Sequence, residues 1–498
     1  MNISNWIYKH ACFSPTKVAL RFRDEAINYL ELFNRIKQSA QVLKHSFGVS
    51  RGDRIALLSY NCPEYLILLF ACARLGAMLV PLNWRLAVPE QLFILKDAGA
   101  KVLFVEEAFE DIIQPLSEEL PTCSVVGLDF SPPAGGSLDL LLSRANGDSD
   151  NPHVELDTPL LIVYTSGTTG HPKGAVLTQN ALFYNALNSI HMHDMTSQDH
   201  ILTVLPLFHV GGLNIQTTPA LYCGATVTLH ERFHPDAALQ SIERDKPTMT
   251  VLVPATIQAC IASGFWEDID LSSLRLLTTG STTVPEQLTD TFSDRGVPVL
   301  EVYGLTETCP IAIYQRLDSD FSKRGTTGQA ALHCESKVVH DDESDCAPDE
   351  VGELLIKGPS ILFEYWGNEE ATNGAIKDGW FFTGDIGFKD KEGYTFIKDR
   401  KKNLIISGGE NIYPAEVERV LLEHPNVKEC AVIGIAHERW QEIPMAIVCA
   451  DCTEEELRAF ITNKLAKFKQ PKQYMFVEAL PKNVMGKVQH FKLREDYR

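Results

Sequence analysis

The sequence predicts an α/β fold: a large N-terminal multi-sheet α/β domain over residues 1–398 and a small C-terminal α/β domain over residues 399–498. Two observations predict it. Short apolar runs alternate with longer segments of helical period through most of the chain, the pattern of a parallel-rich sheet covered by helices. At Asp399–Arg400 the texture changes to a charged stretch, a Gly-Gly turn and a compact set of strands and helices able to bury a core of their own.

The elements follow in order. Thr16–Phe22 reads as a strand, Tyr29–His45 as a helix, Arg54–Leu58 as a strand and Pro63–Leu75 as a helix. Met78–Leu82, Val88–Ala98 and Val102–Val105 continue as strand, helix, strand. Ser131–Pro152 is rich in Pro, Gly, Ser and Asp and reads as a surface linker; His340–Glu350 reads as a solvated acidic loop. In the last fifth, Tyr394–Ile397 and Leu404–Ile406 are strands flanking the charged stretch Lys398–Lys402. Pro414–Glu423 is a helix, Val427–Gly434 and Met445–Ala450 strands, Glu454–Leu465 a helix and Tyr474–Val477 a strand.

The chain has 498 residues, 45% of them hydrophobic and 22% charged, ordinary for a globular protein. Its net charge of −20 offers no basic excess for a nucleic-acid backbone. The most membrane-like stretch, Tyr65–Leu82, is interrupted by Arg74, Gly76 and Pro81 and falls short of the roughly 18–20 apolar residues that cross a bilayer, so no transmembrane segment is expected. Met1–Pro15 lacks the apolar core of a secretory signal. Twelve scattered cysteines without framework spacing then point to reduced thiols in a cytoplasm. Cys449 and Cys452 form one CxxC with no second pair at zinc-finger spacing. His191 and His193 would share a face in a strand, but no carboxylate or cysteine nearby completes a metal site.

The sharpest local feature is Tyr164–Gly174, YTSGTTGHPKG, which follows the apolar strand Leu160–Val163. Thr165, Ser166, Gly167, Thr168, Thr169 and Gly170 put hydroxyls and glycines in one loop, and Lys173 adds charge. Glycines let the backbone approach an anion while N–H and O–H groups point at its oxygens, so the loop suits phosphate. It is not a Walker A loop, because Lys173 is followed by glycine rather than Ser or Thr.

With this loop the chain resembles the adenylate-forming superfamily of acyl-CoA synthetases, adenylation domains and luciferases, closest to fatty-acid or aryl-acid CoA ligases. Further motifs of that superfamily follow in order: Pro206–Leu213, Thr279–Thr282, Tyr303–Thr308, Gly379–Asp385, Asp399–Ile412 and Pro481–Lys487. The resemblance implies a mobile C-terminal lid hinged at Asp399, with ATP, Mg2+ and CoA as substrates and metal and no prosthetic group. It implies two half-reactions: a carboxylate attacks the α-phosphorus of ATP, and a thiol then displaces AMP from the acyl-adenylate. Two anions must first be brought together, so positioned cations are the physical need.

By the same resemblance, Glu307 holds Mg2+ and Thr306 donates to the α-phosphate. Gly280, Ser281 and Thr282 approach the adenine, and Tyr303, beside Gly304, stacks on it. Asp385 takes the ribose hydroxyls with Arg400 against the same sugar, and Lys487 bridges carboxylate and α-phosphate. His209 closes the acid pocket or orients the carboxylate, with a core histidine as the competing account. Ser407, Gly408 and Gly409 line a pantetheine path, with a strand-to-helix turn as the alternative, and Trp440 lies near CoA or packs. One departure stands out: the family's arginine after the terminal lysine is replaced by His490.

No Asp, Glu, Lys or Arg occurs from His209 to Ala225, which disfavours an amino-acid substrate, since its ammonium would be buried unpaired. Gly211 and Gly212 take side chains off the same wall, which suits a long or flat apolar tail, with Val253–Ala255 beside them. The chain is therefore expected to be an AMP-forming carboxylic acid–CoA ligase for a fatty or aryl acid, cytoplasmic, without nucleic-acid partners and able to form a homodimer. A carrier-protein-loading adenylation enzyme and a succinylbenzoate–CoA ligase are the alternatives, with a non-catalytic nucleotide-binding protein or a luciferase-like oxygenase behind them.

Overall fold

A computed structural model of the chain describes residues 2–132, 136–145, 147–165, 172–280, 284–407, 410–438, 440–462, 464–482 and 486–497. It divides into two compact units. One comprises Met1–Phe321, Gly328–Glu335 and Ile356–Phe381; the other Ser322–Thr327, Ser336–Leu355 and Phe382–Arg498.

The larger unit carries the expected alternation. Six parallel strands lie side by side in the order Val299–Tyr303, Leu276–Gly280, Met249–Val251, His200–Thr203, Thr226–Leu229 and Val18–Phe22, inside a nine-stranded sheet. A second, eight-stranded sheet is parallel from Pro159–Thr165 through Met78–Pro81, Arg54–Leu58, Val102–Val105 and Ser124–Gly127 to Gly136–Ser137. Lys173–Thr178 and Glu364–Tyr365 extend it antiparallel at the other edge. Strands with both faces covered read as unbroken apolar runs, and Leu160–Val163 and Val102–Val105 are buried along their length.

Most expected elements stand within a residue or two of their sequence bounds. The strands Thr395–Arg400, Val427–His437 and Gln441–Ala450 run three or four residues past their expected ends, and the helix Glu454–Thr462 stops three short. Three other readings differ for physical reasons. The helix from Tyr29 is α-helical to Gln41 and continues as a π-helical turn, Val42–Ser46, with its last bonds re-routed. Ser131–Pro152 is not a bare linker: Gly136–Ser137 adds the last strand of its sheet and Leu138–Ser143 is a helix capped by Ser137. The same segment partners the buried Arg74, whose guanidinium meets Asp148 Oδ1 at 2.7 Å and donates to the Ser149 carbonyl at 3.3 Å. His191 and His193 sit on the helix Gln179–His193, not a strand, so they diverge. His193 is fully buried, and burial holds its ring neutral, down at about 4. Among the described residues no helix is long and apolar enough to cross a membrane, and all twelve cysteines are free thiols.

The smaller unit is built on a sheet in which Gln441–Ala450 lies between Val427–His437 and Gln473–Phe476. Side chains alternate across a strand. Cys430 and Val432 pack with Val417, Leu421 and Leu457 on one face, while Ala431, Ile433 and Ile435 pack with Leu480 and Leu493 on the other. The helices Pro414–Leu422 and Glu454–Thr462 thus cover one face and the helix His490–Tyr497 the other.

Leaving a buried charge without its partner costs more than replacing that charge with an apolar side chain of similar size, and here the Arg74 side chain is buried while that of Asp148 is half exposed. Asp148→Ala, which leaves Arg74 buried, should therefore lower unfolding stability by about 1–3 kcal/mol, whereas Arg74→Met should cost less. Denaturant titration of the two variants checks the order.

Candidate active site

In the larger unit the phosphate-binding candidates flank a hairpin. Ser166, Gly167, Thr168, Thr169 and Gly170 lie outside the described residues, as do Ser281 and Thr282. The edges of the loop are defined: Thr165 ends one strand, Lys173 begins the next, and the two residues are paired across the ladder. Thr165 Oγ1 also donates to the Lys173 carbonyl at 3.4 Å. The edge strand Glu364–Tyr365 pairs with the same strand as Lys173 and sets Tyr365 opposite Ala175.

That register brings three side chains into a row. The Lys173 ammonium stands 5.5 Å from the centre of the Tyr365 ring. The Tyr365 hydroxyl donates to Glu307 Oε1 at 2.8 Å. Glu307 is only 8% exposed, on the single turn Thr306–Thr308, and its carbonyl accepts from Leu362 N–H at 2.8 Å. One tyrosine thus orients both the carboxylate and the cation. Sequence reading missed Tyr365, because no motif marks it and only the strand pairing brings it to Glu307.

The turn holding Glu307 is fixed by the side chain of Thr308. The Thr308 hydroxyl accepts from Leu305 N–H at 2.9 Å and donates to the Pro310 carbonyl at 2.8 Å. Gly304 precedes it at a close approach: a Cβ there would sit 1.4 Å from the Pro310 oxygen. Tyr303 ends the strand Val299–Tyr303, and Gly280 ends the neighbouring strand opposite Val302. A carboxylate oriented by a hydroxyl, with Thr306 beside it, is a hard oxygen donor set of the kind Mg2+ takes.

His209 caps the short helix Val210–Gly212, and its Nδ1 accepts from Gly211 N–H at 3.0 Å. A ring that accepts at Nδ1 carries its proton on Nε2 when neutral, so it presents an N–H donor on the far side. The two glycines differ. A Cβ at Gly212 would stand 2.2 Å from the Pro206 carbonyl oxygen, so that position is closed by backbone and offers no channel to fill. At Gly211 the nearest atoms belong to the His209 and Ile215 side chains. Thr217 Oγ1 donates to the Gly212 carbonyl at 2.7 Å, whereas the buried Gln216 Oε1 in the same stretch meets no hydrogen-bond donor among the described residues.

The other candidates belong to the smaller unit. Asp385 and Arg400 face each other across an antiparallel pair, and Arg400 Nε meets Asp385 Oδ1 at 2.5 Å. Asp385 is 4% exposed, and a carboxylate has lone pairs for both a guanidinium and ligand hydroxyls. Ser407 ends a three-residue strand and pairs with Gln441, the residue after Trp440. Trp440 is 43% exposed. Gly408 and Gly409 lie outside the described residues. Lys487 is exposed, three residues before the helix His490–Tyr497. Asp399 is buried in the strand Thr395–Arg400; burial raises its carboxyl, against the hydrogen bonds it accepts from Ala415, Arg400 and Asn403.

Comparison with known proteins gives concordant matches. The family model described as AMP-binding enzyme matches residues 8–366, and that of the AMP-binding enzyme C-terminal domain matches residues 416–487. An indoleacetate–CoA ligase of Aromatoleum aromaticum is 47% identical over 501 residues, spanning 99% of this chain and 98% of that protein. A feruloyl-CoA synthase of Amycolatopsis is 38% identical over 490 residues, 98% of this chain and 97% of that one. Among solved structures, the o-succinylbenzoate CoA synthetase of Bacillus subtilis in complex with its acyl-adenylate intermediate has a TM-score of 0.89 at 33% identity, covering 98% of each chain. The same enzyme with ATP and a magnesium ion has a TM-score of 0.87 at 33% identity, covering 99% of each chain.

Partners that orient a metal ligand typically govern metal affinity by tenfold or more. Tyr365→Phe keeps the ring beneath Lys173 and deletes the hydroxyl on Glu307. It should weaken binding of Mg2+-ATP by about tenfold while binding of metal-free nucleotide changes little, as read by calorimetry.

Proposed function

The chain belongs to the AMP-binding enzyme family and is an AMP-forming acid–thiol ligase that uses ATP, Mg2+ and CoA, and from that premise we propose that its acid is an aryl-substituted carboxylic acid of the arylacetate type. The observation that carries the proposal is the 47% identity, over nearly the whole of both chains, to a ligase named for indoleacetate. It is supported by the absence of any charged side chain from His209 to Ala225, a wall suited to a flat apolar ring and costly for a second charge.

In this reading, the carboxylate of the acid attacks the α-phosphorus of ATP, pyrophosphate leaves, and CoA thiol then takes the acyl group from AMP. The chain's residues reduce the electrostatic cost of the first step. Lys487 would lie between carboxylate and α-phosphate, where charge builds in the transition state. Lys173 and the hydroxyl loop would hold the outer phosphates, and Thr306 the α-phosphate. Mg2+, held by Glu307, supplies charge neutralisation at the phosphate oxygens. His209 Nε2–H would steer the carboxylate oxygen, with Gly211 beside the ring of the acid. The adenosine would take Gly280, Ser281, Thr282, Tyr303 and Gly304 against its base, and Asp385 with Arg400 against its ribose. For the second step, Ser407, Gly408, Gly409 and Trp440 would guide the pantetheine arm, with Asp399 as the hinge between the two arrangements. Twelve free thiols support a reducing compartment, the cytoplasm.

A panel of acids with ATP, with and without CoA, tests the substrate. Indole-3-acetate and phenylacetate should release pyrophosphate with higher kcat/KM than octanoate, and thioester should form with CoA; a preference for octanoate would overturn the arylacetate reading. Removing a preorganised charge from a transition state costs about 10²–10³-fold in rate. Lys487→Ala should lose that much in adenylation yet keep most thioester formation from supplied acyl-adenylate, and single-turnover rates of each half separate the two.

A further inference from the structure

Around the proposed hinge, hydrogen bonds close a ring within the smaller unit. Asp399 Oδ1 accepts from Arg400 N–H at 2.6 Å and from Asn403 Nδ2 at 3.1 Å. Its Oδ2 accepts from Ala415 N–H at 2.6 Å, in the first turn of the helix Pro414–Leu422, where a carboxylate is favoured by the helix dipole. Near the middle of that helix, Glu418 Oε1 accepts from Val432 N–H at 2.8 Å and meets His490 Nε2 at 2.9 Å. His490 opens the helix His490–Tyr497. One turn along it, Arg494 donates to the Lys402 carbonyl at 2.6 Å and the Asn403 carbonyl at 2.9 Å. Asn403 returns to Asp399, and the circuit is complete.

Lys487 hangs directly on this ring. It lies three residues before His490, and its segment is fastened by the Gln489 N–H to Pro481 carbonyl bond at 2.8 Å and by the bridge of Val488 to Lys482. Three residues span at most about 10 Å fully extended, so the place of His490 limits the reach of Lys487.

We infer that His490 is a positioning residue for Lys487: through Glu418 and the helix Pro414–Leu422 it fixes the lysine segment to the Asp399 carboxylate, so that hinge and lysine move as one body. The inference rests on the ligase reading for the role of Lys487, and on the hydrogen-bond ring for the coupling. It also accounts for the one departure from the family pattern, since a histidine fills a cation's place opposite Glu418.

A histidine differs from an arginine in being able to lose its charge. The groups facing the ring are Glu418 from the helix Pro414–Leu422, Asp399 from the strand Thr395–Arg400 and Arg494 from its own helix. Burial alone would lower its pKa; Glu418 and then Asp399 outweigh burial and Arg494 and hold it above the ordinary histidine value. A raised folded pKa means the charge-assisted part of the clamp is fully present below the unfolded value and is lost as pH rises through the folded one, while a neutral ring with its proton on Nε2 still donates to Glu418.

Three proteins test this: the full-length chain, His490→Arg and His490→Ala, with indole-3-acetate, ATP and Mg2+. Single-turnover adenylation by the unsubstituted chain should slow on the alkaline side of the histidine range, by less than the roughly tenfold of His490→Ala, and His490→Arg should keep the rate and abolish that limb. His490→Ala should slow adenylation about tenfold, the worth of one hydrogen bond to a charged group, leaving thioester formation from supplied acyl-adenylate and the KM for ATP unchanged. Hydrogen exchange, which needs no substrate, should rise in His490→Ala both at residues 486–490 and at the start of the helix Pro414–Leu422. The inference is overturned by an alkaline limb that survives in His490→Arg, by equal slowing of both halves in His490→Ala, or by exchange that rises at 486–490 alone. Coupled exchange in a chain that adenylates no acid would uphold the coupling and overturn the ligase reading.

Discussion

A carboxylate withdrawn from water must be given donors, and the way this is met at Asp399 organises the smaller unit. Its two oxygens take backbone N–H groups from its own strand and from a helix sixteen residues on, together with the Asn403 amide. Because those donors come from separate elements, the strand, the turn Lys401–Asn403 and the helix Pro414–Leu422 cannot shift independently without stranding a buried charge. The larger unit meets the same demand at Glu307, where a tyrosine from a different sheet edge supplies the donor. In each unit a carboxylate with a proposed functional part is also a junction of the fold.

Much of this was legible in the sequence, and the limits of legibility are physical. The parallel strands could be read because both faces are covered, which leaves unbroken apolar runs such as Val102–Val105. The motifs could be read because a loop that handles phosphate needs hydroxyls, glycines and a cation in close succession. What could not be read depends on register. Tyr365 reaches Glu307 only because its two-residue strand pairs with Lys173–Thr178, and nothing local to Glu364 or Tyr365 announces that pairing. The short strand Glu410–Ile412 was hidden in what reads as a turn. The segment around Leu138 reads as a linker because its composition is that of a loop; its buried role is to complete Arg74, a partner far away in the chain. The histidines at 191 and 193 show the converse, since a spacing that would make a shared face in a strand separates them on a helix.

The edge of the smaller sheet shows how one side chain serves two needs. Val427–His437 is an edge strand, and exposed edge N–H groups invite unwanted pairing. Glu418 occupies one of them at Val432 and uses the same oxygen for His490. Packing on the two faces is divided between the helices, so the polar junction at the edge is what links one face to the other.

The closed backbone at Gly212 bears on how such a ligase can diversify. Of two adjacent glycines in one wall, one is held by main-chain oxygens and the other only by side chains. Main chain cannot be exchanged by point substitution, whereas the ends of His209 and Ile215 can be reshaped. In the proposed acid wall, side-chain change is therefore open at 211 and 215, while 212 is held by main chain whatever acid the enzyme serves.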